Sequence, residues 1–300
     1  MKNITAIGEI IFDVYPGYKK LGGAPLNFIF HIQKLTGHSI LISRVGDDAK
    51  GRDVIEFLKA NQFPITFIQV DSKHATGIAK ANLDRNKIPH WDIPYGSAYD
   101  FIDIPADQDK IIENTACFYF GSLAQRMNKS QNTIQSFFGK DIKYFFDMNI
   151  RQNYYTREIL ESSLNAADIL KVNEEELVIL YNMFFTGKFE RAPSIKGIME
   201  KFNIELAALT LGDNGAWLFN SQESSFYKST VTNIVDTTGA GDAYSAMLCL
   251  GYLDNMKLDE INRVASEFAA KIIQVPGAIP CDDTPYKIIR PFLSTSVDSR

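Results

Sequence analysis

Residues Asp236–Tyr244 read DTTGAGDAY, and an apolar stretch, SAMLCLGYL, follows at once. A glycine-rich turn that opens a helical run leaves the first backbone N–H groups without intrahelical acceptors. Those groups sit at the positive end of the helix dipole. Glycines let the backbone approach an anion closely, so Gly239, Ala240 and Gly241 form a candidate phosphate cradle. Beside a resting anion, Asp236 and Asp242 are out of place, because they would repel it. They fit a phosphoryl group in transfer, which needs amide donors for its oxygens and a carboxylate to take the proton of the attacking hydroxyl. Asp242, next to the donors, is the candidate base. Asp236 opens the loop and either organises it or joins a cation site. An ordinary helix N-cap, with Asp242 merely favouring the dipole, is the competing reading.

Outward from this loop, short apolar runs alternate with amphipathic stretches. Residues 4–15 (ITAIGEIIFDVY) read as one strand, and 24–35 (APLNFIFHIQKL) as a helix stopped by Gly37. Residues 38–46 read as a strand and 48–62 as a helix. Residues 116–123, 143–149, 167–173 and 206–212 read as further buried strands, with helical stretches between most of them. This rhythm predicts an α/β fold whose mostly parallel sheet is covered on both faces. Residues 66–102 break the rhythm, being strand-like and rich in turn residues. They read either as a β-hairpin decoration or as a lid over a cleft. No linker, repeat or low-complexity tract divides the chain, so one main domain with a small β insertion is expected.

The bulk numbers bound the function. A 300-residue chain with 45% hydrophobic and 22% charged residues is that of an ordinary globular protein. A net charge of −5 and a pI near 5.5 argue against a broad nucleic-acid footprint. Three widely spaced cysteines without CxxC predict no disulfide framework and a reducing, cytoplasmic compartment. The four histidines form no metal-binding spacing. The first residues, MKNITAIGEIIFDVY, do not make a signal peptide. No apolar run approaches the ~18 residues of a membrane span, so no membrane partner is expected.

DTTGAGDAYSAM resembles the C-terminal signature of the PfkB, or ribokinase-like, family of sugar kinases, and the resemblance extends over almost the whole chain. It implies a ribokinase-like three-layer α/β/α fold, with a mostly parallel sheet and a small β-sheet lid. One domain would span 1–300, its lid formed mainly by about 66–102 plus a short segment near 12–20. The GAGD aspartate is the family's base and the preceding amides its anion hole, which carries those roles to Asp242 and to Gly239, Ala240 and Gly241. LGGAPLN resembles the sugar-binding GG-x-x-x-N segment, giving Gly22, Gly23 and Asn27, and SRVGDDAKG continues the match with Gly46, Asp47 and Gly51. GEIIFD resembles the first strand, whose terminal acid, here Asp13, binds sugar hydroxyls. A carboxylate accepts from two hydroxyls and an amide both donates and accepts, which suits a polyol. Read alone, Asp13 is a turn residue and Asn27 a helix-start residue.

KVNEEEL resembles the Asn-x-x-Glu motif that helps hold magnesium and its phosphate-bound waters, which points to Asn173 and Glu176. One helical turn apart, the two share a face. Lys171, at the preceding strand end, is either a phosphate contact or a surface lysine. LTLGDNGAWLF resembles the nucleotide-binding T-x-G-x-x-G segment and places Thr210, Gly212 and Gly215 near ATP. The same residues read as a turn between two strands. VPGAIPC resembles the loop near the adenine, with Gly277 in it; together with Asp236 and Thr238 it implies a potassium-type monovalent cation site. FDMNIRQNYY resembles the D-x-N-x-R segment of the fructokinase-like branch, with Asp147, Asn149 and Arg151, and with Met148 where proline is common. Arg151 would steady a phosphate or a sugar substituent, or make a salt bridge at the sheet edge. His90, Trp91 or Tyr95 would close over the sugar from the lid. The short segment Tyr15–Leu26 implies that one limb of the lid is reduced.

The resemblance therefore implies an ATP- and Mg²⁺-dependent kinase of D-fructose, acting as a homodimer. Kinases of 2-keto-3-deoxygluconate, ribose or another sugar or nucleoside are the nearest alternatives, and a non-catalytic sugar- or nucleotide-binding regulator is the alternative of another class. A nicotinamide-dependent oxidoreductase is excluded, since AIGEII offers one glycine where G-x-G-x-x-G is required; G-x-x-x-x-G-K-[ST] is absent too.

Overall fold

A computed structural model describes residues 2–83, 89–228, 231 and 233–293. The side chains of residues 82, 83, 89 and 90 are not among those described, so the expectation for His90 lies outside the described residues.

In chain order the strands are β1 (Asn3–Ile7), β2 (Ile11–Tyr15), β3 (Tyr18–Gly22), β4 (Ser39–Gly46), β5 (Ile68–Asp71), β6 (Gly77–Leu83), β7 (Pro89–Asp92), β8 (Thr115–Gly121), β9 (Lys143–Asp147), β10 (Ile169–Asn173), β11 (Leu206–Thr210), β12 (Ala216–Phe219) and β13 (Ser224–Tyr227). The helices are α1 (Ala24–Thr36), α2 (Ala49–Ala60), α3 (Gln108–Glu113), α4 (Asn128–Gln135), α5 (Arg157–Ala166), α6 (Glu174–Phe184), α7 (Arg191–Phe202), α8 (Ala240–Leu253), α9 (Leu258–Ile272) and α10 (Thr284–Ile289).

The main sheet runs β13-β12-β11-β10-β9-β8-β1-β4-β5. From β5 to β11 neighbouring strands are parallel, and β12 and β13 extend the sheet as an antiparallel hairpin. Side chains alternate between the two faces. Along β8, Cys117 and Tyr119 join one core, with α1, α2, α8 and α9, while Phe118 and Phe120 join the other, with α4, α5, α6 and α7. Helices on both faces leave the central strands with continuous apolar runs, as in YFF and LAAL. This is the expected three-layer α/β/α arrangement. From β1 the chain steps outward to β4 and β5, then returns to β8 and steps the other way. At such a reversal a crevice opens outside the carboxyl ends of the strands.

The single strand expected over residues 4–15 is two strands in two sheets. Gly8 has φ 149, and a side chain there would meet Pro25 at 2.6 Å. This glycine lets the chain leave the main sheet after β1 and enter the small sheet at β2. The small sheet has the order β3-β2-β6-β7. Of residues 66–102, only β6 and β7 belong to it. β5 pairs with β4 at the edge of the main sheet, and residues 98–101 form a 3-10 turn with a Ser97–Asp100 capping box. The remaining two strands are the β2–β3 hairpin, so the limb expected to be reduced supplies half of the small sheet. Helix α1 ends at Gly37, in the left-handed conformation with φ 74, where the sequence predicts its stop. Among the described residues no helix is long and apolar enough to cross a membrane.

Candidate active site

A cleft of about 530 Å³ opens at the carboxyl ends of the main-sheet strands, against β2 and β7 of the small sheet. Its wall next to α8 is built by backbone geometry. Gly239, at the N-cap of α8, has φ 80, and a Cβ on it would lie 2.4 Å from that of Ala278. Only glycine fits, and the chain thereby turns straight into the helix. The first intrahelical bond is Ala243 N–H to Gly239 O, 2.9 Å. Gly239, Gly241 and Asp242 line the cleft. Ala240 does not, and its N–H turns back to Thr237 O at 3.4 Å.

Asp242 stands in the first turn of α8, where Asn27 Nδ2 donates to its Oδ2 at 2.8 Å. Burial pushes its carboxyl up to about 6, and the charge of Asp147 adds to this, against the opposing pull of Lys171, Asn27 and Arg151. Asn27 is buried in α1, and its Oδ1 has no partner among the described residues. Asp13, on β2, also faces the cleft. Burial pushes it up to about 6, opposed by Arg151 and Lys20. Gly23 lines the cleft, and Gly22 abuts both residues: a Cβ on it would sit 3.8 Å from Asp13 Oδ2 and 4.0 Å from Asn27 Nδ2.

Lys171 is not a surface lysine. It lies within β10, buried, and its ammonium donates to both oxygens of the buried Asp147 at 3.0 and 2.9 Å. Tyr119 and Ser245 donate to Asp147 as well, at 3.0 and 2.8 Å. Burial works to discharge Lys171, but Asp147 and Asp242 outweigh it and hold its pKa above the usual lysine value. The ammonium lies 3.3 Å from where a Cβ of Gly241 would stand, so a fixed cation adjoins the amide loop.

Asn173 and Glu176 form a capping box at the start of α6. Asn173 Oδ1 accepts Glu176 N–H at 2.8 Å, and Glu176 Oε2 accepts Asn173 N–H at 2.9 Å. Glu176 Oε1 accepts Ile150 N–H at 2.8 Å, which ties α6 to the segment after β9. Both residues face the cleft, and burial raises the Glu176 pKa despite the Asn173 amide and Lys171. Each carboxylate oxygen keeps a second lone pair for water.

Asp236 does not line the cleft. Its Oδ2 accepts from Lys20 of β3 at 2.6 Å and from Gly277 N–H at 2.9 Å, and its Oδ1 accepts from Thr238 N–H at 3.0 Å. Burial works against ionisation, yet Lys20 and Thr238 hold the carboxyl well below the usual carboxylate range. Asp236 thus organises the loop, and Lys20 already occupies the place of a cation. Thr238 does line the cleft.

Asn149 and Arg151 face the cleft from the end of β9, and Asn149 has φ 40, a conformation most residues avoid. Among the described residues Arg151 makes no ion pair; its guanidinium reaches only Ile150 O, at 3.1 Å. Thr210 lines the cleft from the end of β11. Gly212 lies in the 3-10 turn that follows, and Gly215 leads into β12; neither they nor Gly277 line the cleft. Trp91 does so from β7, edge-on to Tyr15 at 5.3 Å, whereas Tyr95 is exposed and packs on Tyr154.

Sequence reasoning missed Glu9, a buried acid lining the same cleft. The available signal was a carboxylate inside the apolar run ITAIGEIIF.

The pfkB family carbohydrate kinase model matches residues 1–285. The chain is 31% identical over 298 residues to an uncharacterized sugar kinase of Pyrococcus horikoshii, covering 92% of this chain and 91% of that protein. The structure of that kinase in complex with ATP aligns with a TM-score of 0.79 at 28% identity, over 95% of this chain and 99% of that one. An ATP-dependent 6-phosphofructokinase of Thermoanaerobacterium thermosaccharolyticum is 26% identical over 300 residues, covering 92% of this chain and 89% of that protein. A fructokinase of Klebsiella pneumoniae is 27% identical over 290 residues and covers 92% of each.

Proposed function

We propose that this chain, which belongs to the pfkB family of carbohydrate kinases, transfers the γ-phosphoryl group of ATP to a primary hydroxyl of D-fructose, giving fructose 6-phosphate. The observation that carries the reading is Asp242, set among the N-terminal amides of α8 and held by Asn27 in the cleft that Asp13 also faces. Asp13 and Asn27 receive sugar hydroxyls. The carboxylate of Asp242 takes the proton of the attacking hydroxyl, whose oxygen then bonds to phosphorus as the bond to the ADP oxygen breaks. The amides of Gly239 and Gly241 and the Lys171 ammonium oppose the charge on the phosphoryl oxygens.

Among the described residues no group of three or more His, Cys, Asp or Glu side chains could hold a metal ion. That fits Mg²⁺, which takes one or two carboxylates and completes its shell with phosphates and waters. Glu176 and Asn173 would hold such an ion through water, and the ion would neutralise phosphate oxygens. Thr210, with the turn at Gly212 and Gly215 and the loop at Gly277, would flank the nucleotide. A monovalent cation at Asp236 and Thr238 would have to replace the Lys20 ammonium.

The D-x-N-x-R segment and the similarity to the Klebsiella pneumoniae fructokinase support fructose. The Arg151 guanidinium, which makes no ion pair among the described residues, favours a second reading, in which the acceptor carries a carboxylate, as 2-keto-3-deoxygluconate does. An ADP-release assay with ATP, Mg²⁺ and fructose, ribose, 2-keto-3-deoxygluconate, glucose, tagatose and adenosine tests both. Preference for fructose is expected, while preference for the keto acid moves the substrate and keeps the mechanism. ATP binding without turnover of any sugar would make the protein a nucleotide-binding regulator.

A further inference from the structure

Glu9 has no part in the mechanism above, yet it stands in the site. It occupies the bend between β1 and β2, where the chain leaves the main sheet for the small one. It is only 3% exposed, and it lines the cleft together with Asn27, Arg151 and Asp242. A carboxyl in such a place costs free energy unless partners offset it. One partner is Ala24, whose N–H donates to Glu9 Oε1 at 3.3 Å. Helix α1 has no capping side chain of its own, because Gly23 occupies its N-cap position. A side chain cannot be placed there, since a Cβ on Gly23 would lie 2.5 Å from the Glu9 carbonyl oxygen. Glu9 therefore caps α1 from the neighbouring bend between β1 and β2.

The cap alone does not account for an acid. A glutamine would present the same oxygen to Ala24 without burying an ionisable group. One turn into α1, Asn27 places a second acceptor on the same wall, a buried Oδ1 without a partner among the described residues. Buried acceptors of this kind require a donor, and a sugar hydroxyl entering the cleft can supply one. Burial pushes the Glu9 carboxyl up to about 7; its own amide, Arg151 and Ala24 N–H oppose the shift and Asp242 adds to it. Both protonation states are then present near neutral pH, and either can pair with a hydroxyl.

We propose that Glu9 is an acceptor-binding residue, whose carboxyl receives a hydroxyl of the sugar close to the one that Asp242 deprotonates, while its cap on α1 holds Asn27 against the same sugar. The inference rests on the sugar-kinase reading.

Glu9→Gln tests it, because that variant keeps the side-chain volume and the capping oxygen. Steady-state kinetics on the full-length protein would use D-fructose, or the sugar of the panel with the highest kcat/KM, together with its monodeoxy analogues. The KM for the sugar is expected to rise at least about tenfold, the scale of a lost hydrogen bond to a charged group, while the KM for ATP changes less than about twofold. In the wild type, one monodeoxy analogue should lose about tenfold in kcat/KM, and in Glu9→Gln that penalty should shrink to about twofold. If both KM values move together, or every deoxy penalty persists in the variant, Glu9 is a helix cap alone and the proposal falls. Glu9→Asp, which withdraws the carboxyl by one methylene, gives the same two readings if Glu9→Gln does not fold. A wild type that phosphorylates no sugar would instead overturn the kinase reading and this inference with it, a result distinct from an active wild type with an unaltered variant.

Discussion

Asn27 donates to Asp242 Oδ2 at 2.8 Å through its side-chain amide, while its own carbonyl oxygen is buried without a partner among the described residues. One side chain thus holds the candidate base and carries a second, buried acceptor beside it. Replacing the base separates chemistry from binding. Asp242→Asn keeps the volume and the α8 amides, so sugar and ATP should bind with little change by calorimetry. The kcat should fall on the order of 10² to 10⁴-fold, the usual worth of a general base. A variant near full rate would remove Asp242 from the chemistry.

The pH dependence follows from the same contact. Asp242 acts as a base only when ionised, and burial, with the charge of Asp147, lifts its carboxyl to about 6. The rate should therefore rise with pH through about 6 and be lost below it. Asn27 is among the groups that favour the ionised form. Asn27→Ala should move the acid limb of the kcat profile to higher pH, besides lowering kcat. A profile flat from pH 5 to 8 would exclude Asp242 as the titrating base.

Glu9 gives a stability counterpart in the ligand-free protein. Its folded pKa is raised to about 7 from 4.5. A carboxyl raised in this way binds its proton more tightly in the folded state. The stability it contributes is fully present below about 4.5 and is lost as pH rises through about 7. The Tm difference between wild type and Glu9→Gln should therefore shift in favour of the wild type as pH falls from 8 to 5. The expected change is of the order of 2 kcal/mol, or several degrees for a chain of this size. A pH-independent difference would mean that Glu9 titrates near its ordinary value.

The parts of this site written in local backbone geometry were legible in the sequence. The turn at Gly239 and the stop at Gly37 both rest on glycines at positive φ, and the buried strands show as continuous apolar runs. Contacts that depend on distant pairing were not legible. ITAIGEIIFDVY carries one glycine as its only sign of a break, and whether FIQVD joins the lid or the main sheet depends on its pairing with β4. Lys171 read equally well as a surface residue, because its partner Asp147 lies on a neighbouring strand. Asp236 shows in DTT as a loop acid, but the lysine that neutralises it comes from β3. Charge partners across a fold leave no periodic trace in the chain.

Glu176 holds two structural amides, and the proposed function also gives it a water-mediated role at magnesium. Two substitutions separate these functions. Glu176→Ala leaves Ile150 N–H and Asn173 N–H without acceptors and removes a cap, so it should cost about 2–4 kcal/mol in denaturant unfolding. Glu176→Gln keeps an acceptor for one of the two N–H groups and should cost less than Glu176→Ala, yet it should raise the Mg²⁺ concentration needed for half-maximal rate. An unchanged magnesium titration in Glu176→Gln would leave Glu176 with the capping role alone.

The buried Lys171–Asp147 pair calls for a similar dissection. Two charges are out of water there, held by Tyr119 and Ser245 as well as by each other. Lys171→Met would strand the Asp147 carboxylate, and loss of one partner of a buried pair costs about 3–5 kcal/mol. Adding Asp147→Asn removes the stranded charge and should restore most of that stability, as read by urea unfolding. The rate should not return with it. If the Lys171 ammonium opposes charge on the transferring group, the double variant stays about 10²-fold or more below wild type in kcat, the scale seen when one oxyanion donor is lost. A double variant that recovers both stability and rate would make Lys171 a purely structural partner of Asp147.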